Sequence, residues 1–129
     1  MAEKPPVALV VEDDAPVREL LAEVLSSEGY STLEAEDGQQ AIELLDELLL
    51  PANVPCVILL DMMLPYVSGL GVLDHLKARG AELPVVAISA SMTQVAAARA
   101  AGTRAALAKP FDLRQLVALV AHSYAAANN

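Results

Sequence analysis

Short apolar runs recur along the chain, and an amphipathic segment follows each one. That alternation constrains the fold more than any other feature. "VALVV" (Val7 to Val11) is rich in β-branched residues and runs into Glu12, Asp13 and Asp14. It reads as a buried strand. Asp14 is placed to cap a helix, Pro16 suits its first turn, and Val17, Leu20, Leu21, Val24 and Leu25 follow at helical spacing until Gly29. "YSTLEA" (Tyr30 to Ala35) reads as the second strand. Asp37 caps a second helix with the stripe Ala41, Leu44, Leu45, Leu48 and Leu49, and Pro51 and Pro55 bracket a loop. "CVILL" (Cys56 to Leu60) is the third strand. The third helix carries Leu70, Leu73 and Leu76 and stops at Gly80. "PVVAIS" (Pro84 to Ser89) is the fourth strand and "RAALA" (Arg104 to Ala108) the fifth. Between them the Ala-rich segment Thr93 to Ala101 has Val95 as its only large apolar residue, so this helix is expected to be thinly anchored and mobile. A last helix starts near Asp112, with Leu113, Leu116, Val117, Val120 and Tyr124 on one face. The pattern is (βα)5, which implies an α/β fold: a parallel sheet covered by helices on both faces.

Length and charge narrow what such a fold can do. The 129 residues suit one domain, and 55% of them are hydrophobic, enough for a real core. The formal net charge of −9 and an aromatic content of 3% argue against a direct nucleic-acid ligand. The charge is uneven: residues 1–50 hold 13 acids against 2 bases, whereas residues 51–129 hold 4 against 6. No stretch reaches the roughly 20 apolar residues of a membrane span, and the N-terminus lacks a signal pattern, so a cytoplasmic setting is expected. Cys56 is the only cysteine, which excludes an internal disulfide.

In a sheet of this kind ligands bind outside the carboxyl ends of the strands. Those ends carry Glu12 and Asp13 on the first strand, Asp61 on the third, Ser89 on the fourth and Lys109 on the fifth. With the usual strand order the first and third strands are neighbours, and Glu12, Asp13 and Asp61 share one small volume. Crowded carboxylates raise one another's pKa unless a cation neutralises them. A hard divalent ion with oxygen ligands, Mg2+ above all, suits them. Lys109 adds a fixed positive charge and Ser89 a hydroxyl. Taken singly, acids after a strand are commonly helix caps or solvated loop residues, and a serine there is usually a turn residue. Together these groups make a site for a phosphoryl group.

The segments "LVVEDDAPVRELL" (Leu9 to Leu21), "VILLDMMLPYVSGLGVL" (Val57 to Leu73), "PVVAISA" (Pro84 to Ala90) and "AKPF" (Ala108 to Phe111) resemble, in this order, the receiver domain of two-component response regulators. The resemblance covers essentially the whole chain. It implies a flavodoxin-like doubly wound fold with strand order 2-1-3-4-5, and a single receiver domain over residues 1–129 with no output domain in this chain. It implies that Asp61 is the phosphoacceptor, taking its group from a phosphohistidine on a sensor histidine kinase or a histidine phosphotransfer protein. Asp13, Asp61 and the backbone carbonyl of Met63 would hold Mg2+, and Glu12 would reach it through water. Lys109 would pair with the phosphoryl oxygens, Ser89 would donate to one of them, and Lys109–Pro110 would be cis. The protein would then be a self-phosphorylating signalling domain rather than an enzyme, with slow autodephosphorylation. Its readout would be the face of the fourth helix, fifth strand and fifth helix, offered to a downstream effector protein.

The chain departs from the family at one informative place. Receivers usually carry an aromatic residue three positions before the lysine, and here that residue is Ala106. Ser68 also replaces an acid common before the glycine. Two other readings compete. A pseudo-receiver, acting as a constitutive interaction module, is kept alive by Ala106 and opposed by the intact acid, lysine and serine set. An Asp-nucleophile phosphohydrolase would need an acid two residues after the nucleophile, where Met63 stands. His75 and His122 read as surface residues on separate helices. The sequence leaves the oligomeric state open.

Overall fold

The computed structural model describes residues 5–127. Its five strands are β1 (Val7–Val11), β2 (Ser31–Ala35), β3 (Cys56–Asp61), β4 (Val85–Ser89) and β5 (Ala105–Ala108). They form one sheet in the order β2-β1-β3-β4-β5, and every neighbouring pair is parallel. This is the flavodoxin-like doubly wound arrangement expected from the sequence.

The strands at the centre read as continuous apolar runs because both of their faces are covered. Leu9, Val11, Ile58 and Leu60 enter one core with Ala41, Leu45, Val72, Val95 and Ala98. Ala8, Val10, Val57 and Leu59 enter the other with Leu21, Leu25, Leu116 and Val120. The helices α1 (Ala15–Ser27) and α5 (Leu113–Ala127) thus cover one face. The helices α2 (Gly38–Leu44, continued by further turns to Ala52), α3 (Gly69–Ala78) and α4 (Met92–Ala100) cover the other. Cys56 lies buried at the start of β3, where desolvation pushes its thiol up to about 12 and leaves it an inert small hydrophobe.

The helix starts follow the sequence closely. Asp14 accepts from the Val17 N–H at 3.2 Å, Asp37 from Gln40 N–H at 2.7 Å and Asp112 from Arg114 N–H at 2.7 Å. Ser68, in the place of the usual acid, caps α3 through the Gly71 N–H at 3.2 Å. At the other end of α1, Gly29 has φ of +100°, its N–H bonds Ser26 O and the Tyr30 N–H bonds Leu25 O. This is the paired closure that favours glycine.

The second helix departs from expectation. It runs as an α-helix over Gly38–Leu44, widens into a π-helical turn over Leu45–Leu49 and closes with one further turn, Leu50–Ala52. Pro51 is therefore helical, and the anticipated Pro51–Pro55 loop shrinks to the residues after Ala52. Pro51 has no N–H, and its ring would collide with the carbonyl four residues back in a regular helix. The widened turn, in which the Leu50 N–H reaches back to Leu45 O, accommodates it. One extra residue per turn also shifts the stripe: Ala41, Leu45 and Leu49 are buried, and Leu48 is 52% exposed. In α3 the buried positions are Gly69, Val72 and Leu76, while Leu70 and Leu73 pack at the margin. No helix among the described residues is long and apolar enough to cross a membrane.

Candidate functional site

The register explains why distant acids meet. Val11 of β1 pairs with Leu60 of β3, so Glu12 and Asp61 leave adjacent strands at the same level. The ligand oxygens of Glu12, Asp13 and Asp61 all lie within 4.8 Å of one another. Glu12 and Asp61 are buried, whereas Asp13 faces outward. Lys109 comes in from the end of β5, after a cis bond to Pro110. Its Nζ donates to Glu12 Oε1 at 2.7 Å and to Asp61 Oδ2 at 2.8 Å. The other Asp61 oxygen, Oδ1, accepts from the Met63 N–H at 2.9 Å.

The electrostatics of this cluster are unbalanced, because one ammonium faces three carboxylates. Burial and the neighbouring Asp61 push Glu12 from its ordinary 4.5 up to about 7, against the opposing pull of Lys109. Lys109 itself is held above its usual range, because its bonds to Asp61 and Glu12 outweigh its desolvation. Glu12 Oε2 is buried with no hydrogen-bond partner among the described residues. A buried carboxylate oxygen without a partner is costly and marks a place where a cation would bind. The all-oxygen donor set fits Mg2+ better than a softer metal.

Ser89 stands fully buried at the end of β4. Its Oγ accepts from the Ser91 N–H at 3.1 Å, and Ser91 in turn caps α4 by accepting from the Gln94 N–H at 3.3 Å. The Lys109 N–H donates to Ser89 O at 2.8 Å, which ties the exits of β4 and β5 together. Ser89 thus sits between the acid cluster's lysine and the start of α4.

Residues 8–121 match the family described as the response regulator receiver domain. The chain belongs to that family. It is 38% identical over 112 residues to the response regulator MprA of Mycolicibacterium vanbaalenii, covering 85% of this chain and 46% of that protein. The receiver thus spans about half the length of the curated relatives it matches. Among solved structures, the receiver domain of NtrX from Brucella abortus is similar with a TM-score of 0.81 and 30% identity, covering 92% of this chain and 98% of that one. The receiver domain of Francisella response regulator 1452 is similar with a TM-score of 0.83 and 28% identity, covering 95% and 98%.

Several contacts around the receiver site were not read from the sequence. Arg18 donates to the Glu12 carbonyl at 2.9 Å and pairs with Glu34 of β2 at 3.4 Å. A signal existed: helical side chains lean toward their N-terminus, so a cation one turn into α1 points back at the end of β1. Gly69 packs under Met62, where an added Cβ would lie 2.6 Å from the Met62 Cα, and a Cβ on Gly38 would overlap the Val67 carbonyl. Neither close approach has a one-dimensional signature. Tyr66, 90% exposed, sits at φ +65° inside a three-residue turn closed by Val67 N–H to Pro65 O at 2.8 Å. His75 is not a free surface histidine. Its Nε2 lies 2.9 Å from Asp46 Oδ1, and Arg79 reaches the same oxygen at 2.6 Å, which joins α3 to the π-helical turn. His122 is exposed, as expected.

Proposed function

We propose that Asp61 accepts a phosphoryl group from the phosphohistidine of a sensor histidine kinase or a histidine phosphotransfer protein. An Asp61 carboxylate oxygen attacks phosphorus, the phosphorus–nitrogen bond breaks, and the imidazole leaves with the electron pair and takes a proton from solvent. The product is an acyl phosphate on Asp61. Lys109, already on Asp61 Oδ2 at 2.8 Å, is positioned to follow the charge onto the phosphoryl oxygens. The Met63 N–H orients the attacking carboxylate by holding Oδ1.

Mg2+ would be held by Asp13, Asp61 and the Met63 carbonyl, with Glu12 reaching it through water, and would neutralise the charge that spreads over the equatorial oxygens. Ser89 would donate to a phosphoryl oxygen once Asp61 is modified. That movement would release Ser91 and so reach the N-terminus of α4. The face of α4, β5 and α5 would pass the change to an effector protein. Attack of water on the acyl phosphate would slowly return Asp61, so the domain signals rather than turns over a substrate. The reading covers residues 1–129 as one cytoplasmic receiver domain that acts through protein partners and not through direct contact with nucleic acid or membrane.

The observation that carries this reading is the buried, unpartnered Glu12 Oε2 beside an Asp61 that Lys109 already engages. The test is intact-mass measurement after incubation with Mg2+ and acetyl phosphate, beside an Asp61→Asn control. A Mg2+-dependent phosphoryl adduct on the wild type alone is expected. No adduct from any donor would favour the pseudo-receiver, which Ala106 keeps open. Turnover of a separate phosphate ester would indicate a hydrolase.

A further inference from the structure

Receiver chemistry needs two consecutive side chains, Glu12 and Asp13, to point into one volume just where their strand stops. The β ladder supports only the first of them. The Glu12 N–H donates to Ala35 O at 3.0 Å, and this is the last bond that β2 gives to the chain leaving β1. The next backbone group is the Glu12 carbonyl, which belongs to the peptide joining Glu12 to Asp13. Without a partner that peptide could rotate, and rotation would swing Asp13 away from Asp61.

Arg18 supplies the partner. Its backbone is fixed one turn into α1, where its N–H donates to Asp14 O at 2.8 Å. Its guanidinium donates to the Glu12 carbonyl at 2.9 Å through one nitrogen, and another nitrogen lies 3.4 Å from the Glu34 carboxylate on β2. The Arg18 side chain is only 14% exposed, so this fork is held rather than waving in solvent. A planar guanidinium spans two acceptors at once, which an ammonium on a flexible stem does not.

We infer that Arg18 is a positioning residue for the metal-binding acids, setting Mg2+ affinity by pinning the Glu12–Asp13 peptide without touching the ion. The inference rests on the proposed Mg2+ site. It also makes a prediction of unusual sign. If Arg18 acted only through its charge, removing that charge beside an acidic cluster would tighten Mg2+ binding. If it acts by position, removal weakens binding.

The experiment is calorimetric titration of wild type, Arg18→Met and Arg18→Lys with Mg2+ at pH 8, with metal-free Tm measured for each. Arg18→Met is expected to raise the Mg2+ Kd about tenfold, the low end for groups that orient metal ligands. Arg18→Lys keeps the charge but not the fork, and is expected to raise Kd about threefold. At saturating Mg2+ both variants should form the Asp61 adduct from acetyl phosphate within about twofold of the wild-type rate. Equal or tighter binding in Arg18→Met overturns the inference, as does an adduct rate that stays depressed at saturating Mg2+. Should Arg18→Met fail to fold, unchanged affinity in Arg18→Lys overturns it equally. Failure of the wild type to bind Mg2+ would instead count against the function proposed above.

Discussion

The centre of the sheet and its β4–α4–β5 edge are made from the same alternating pattern, filled to different depths. β1 and β3 are buried on both faces by Val, Leu and Ile, and they carry the acids of the site. β5 is a four-residue edge strand, Ala-Ala-Leu-Ala, and α4 buries only Val95 and Ala98. A groove of about 500 Å³ lies beside them, lined by Met92, Val95, Arg99, Ala106 and Leu119 among others. The acids whose oxygens lie within 4.8 Å of one another stand at the ends of strands buried on both faces, whereas α4 is attached by few large side chains.

The largest test of that contrast is a pair of truncations. Ile58 sits between Leu9 and Val85 in the middle of the sheet with no exposure, so Ile58→Ala is expected to cost about 3 kcal/mol of stability. Val95→Ala removes the main anchor of α4 yet should cost only about 1 kcal/mol, because less volume is lost and alanine regains helix propensity. Denaturant unfolding measures both. Equal losses would mean that α4 is as firmly held as the central strands.

The pH response should belong to the centre as well. Glu12 titrates near 7 in the metal-free fold against its ordinary 4.5 when unfolded. Below about 4.5 it is protonated in both states and its burial adds no cost. As pH rises from there toward 7 the unfolded chain releases the proton while the fold keeps it, so stability falls, and above 7 the full cost is expressed. The metal-free protein is therefore expected to gain several degrees of Tm, relative to Glu12→Gln, as pH drops from 8 to 5. Thermal melts in a chelator check this, and Mg2+ should raise Tm more at pH 8 than at pH 6. A wild type whose pH dependence matched that of Glu12→Gln would remove the charge imbalance at the site.

The same contrast governs how much was legible in the sequence. The strands and both cores follow from runs such as Val7–Val11, because burial on two faces leaves an unbroken apolar signature, whereas the strand order, and with it the convergence of Glu12, Asp13, Asp61 and Lys109, came from the resemblance to receiver domains. Leu48 defeated the same reasoning. A stripe read at ordinary helical spacing includes it, but Pro51 widens the preceding turn and rotates it outward. The effect of a proline three residues away is three-dimensional, and hydrophobicity alone does not carry it. Arg18 and the Asp46–His75–Arg79 link were missed for a related reason, since each depends on which backbone or side-chain group faces a cation across two elements. Ala106 was legible as a departure, but the helix-to-strand bond of Arg99 was not.

Arg99 provides the smallest and most local test. Its guanidinium donates to the Ala106 carbonyl at 3.2 Å, crossing from α4 to β5 along the groove beside Ala106. That bond is partly solvated, so Arg99→Gln should change global stability by less than about 1 kcal/mol. Its effect should appear instead in local opening. With Val95 and Ala98 as the remaining buried contacts, α4 is expected to exchange its amide hydrogens faster in Arg99→Gln, while β1 and β3 exchange as in the wild type. Hydrogen exchange read by mass spectrometry or NMR resolves the two regions in one experiment. Faster exchange confined to Met92–Ala100 and β5 would sharpen the division between a fixed centre and a loosely held edge. Acceleration throughout the sheet would break it, because α4 would then open only when the whole domain does, and no thinly anchored element would be left to make the proposed response to Ser89.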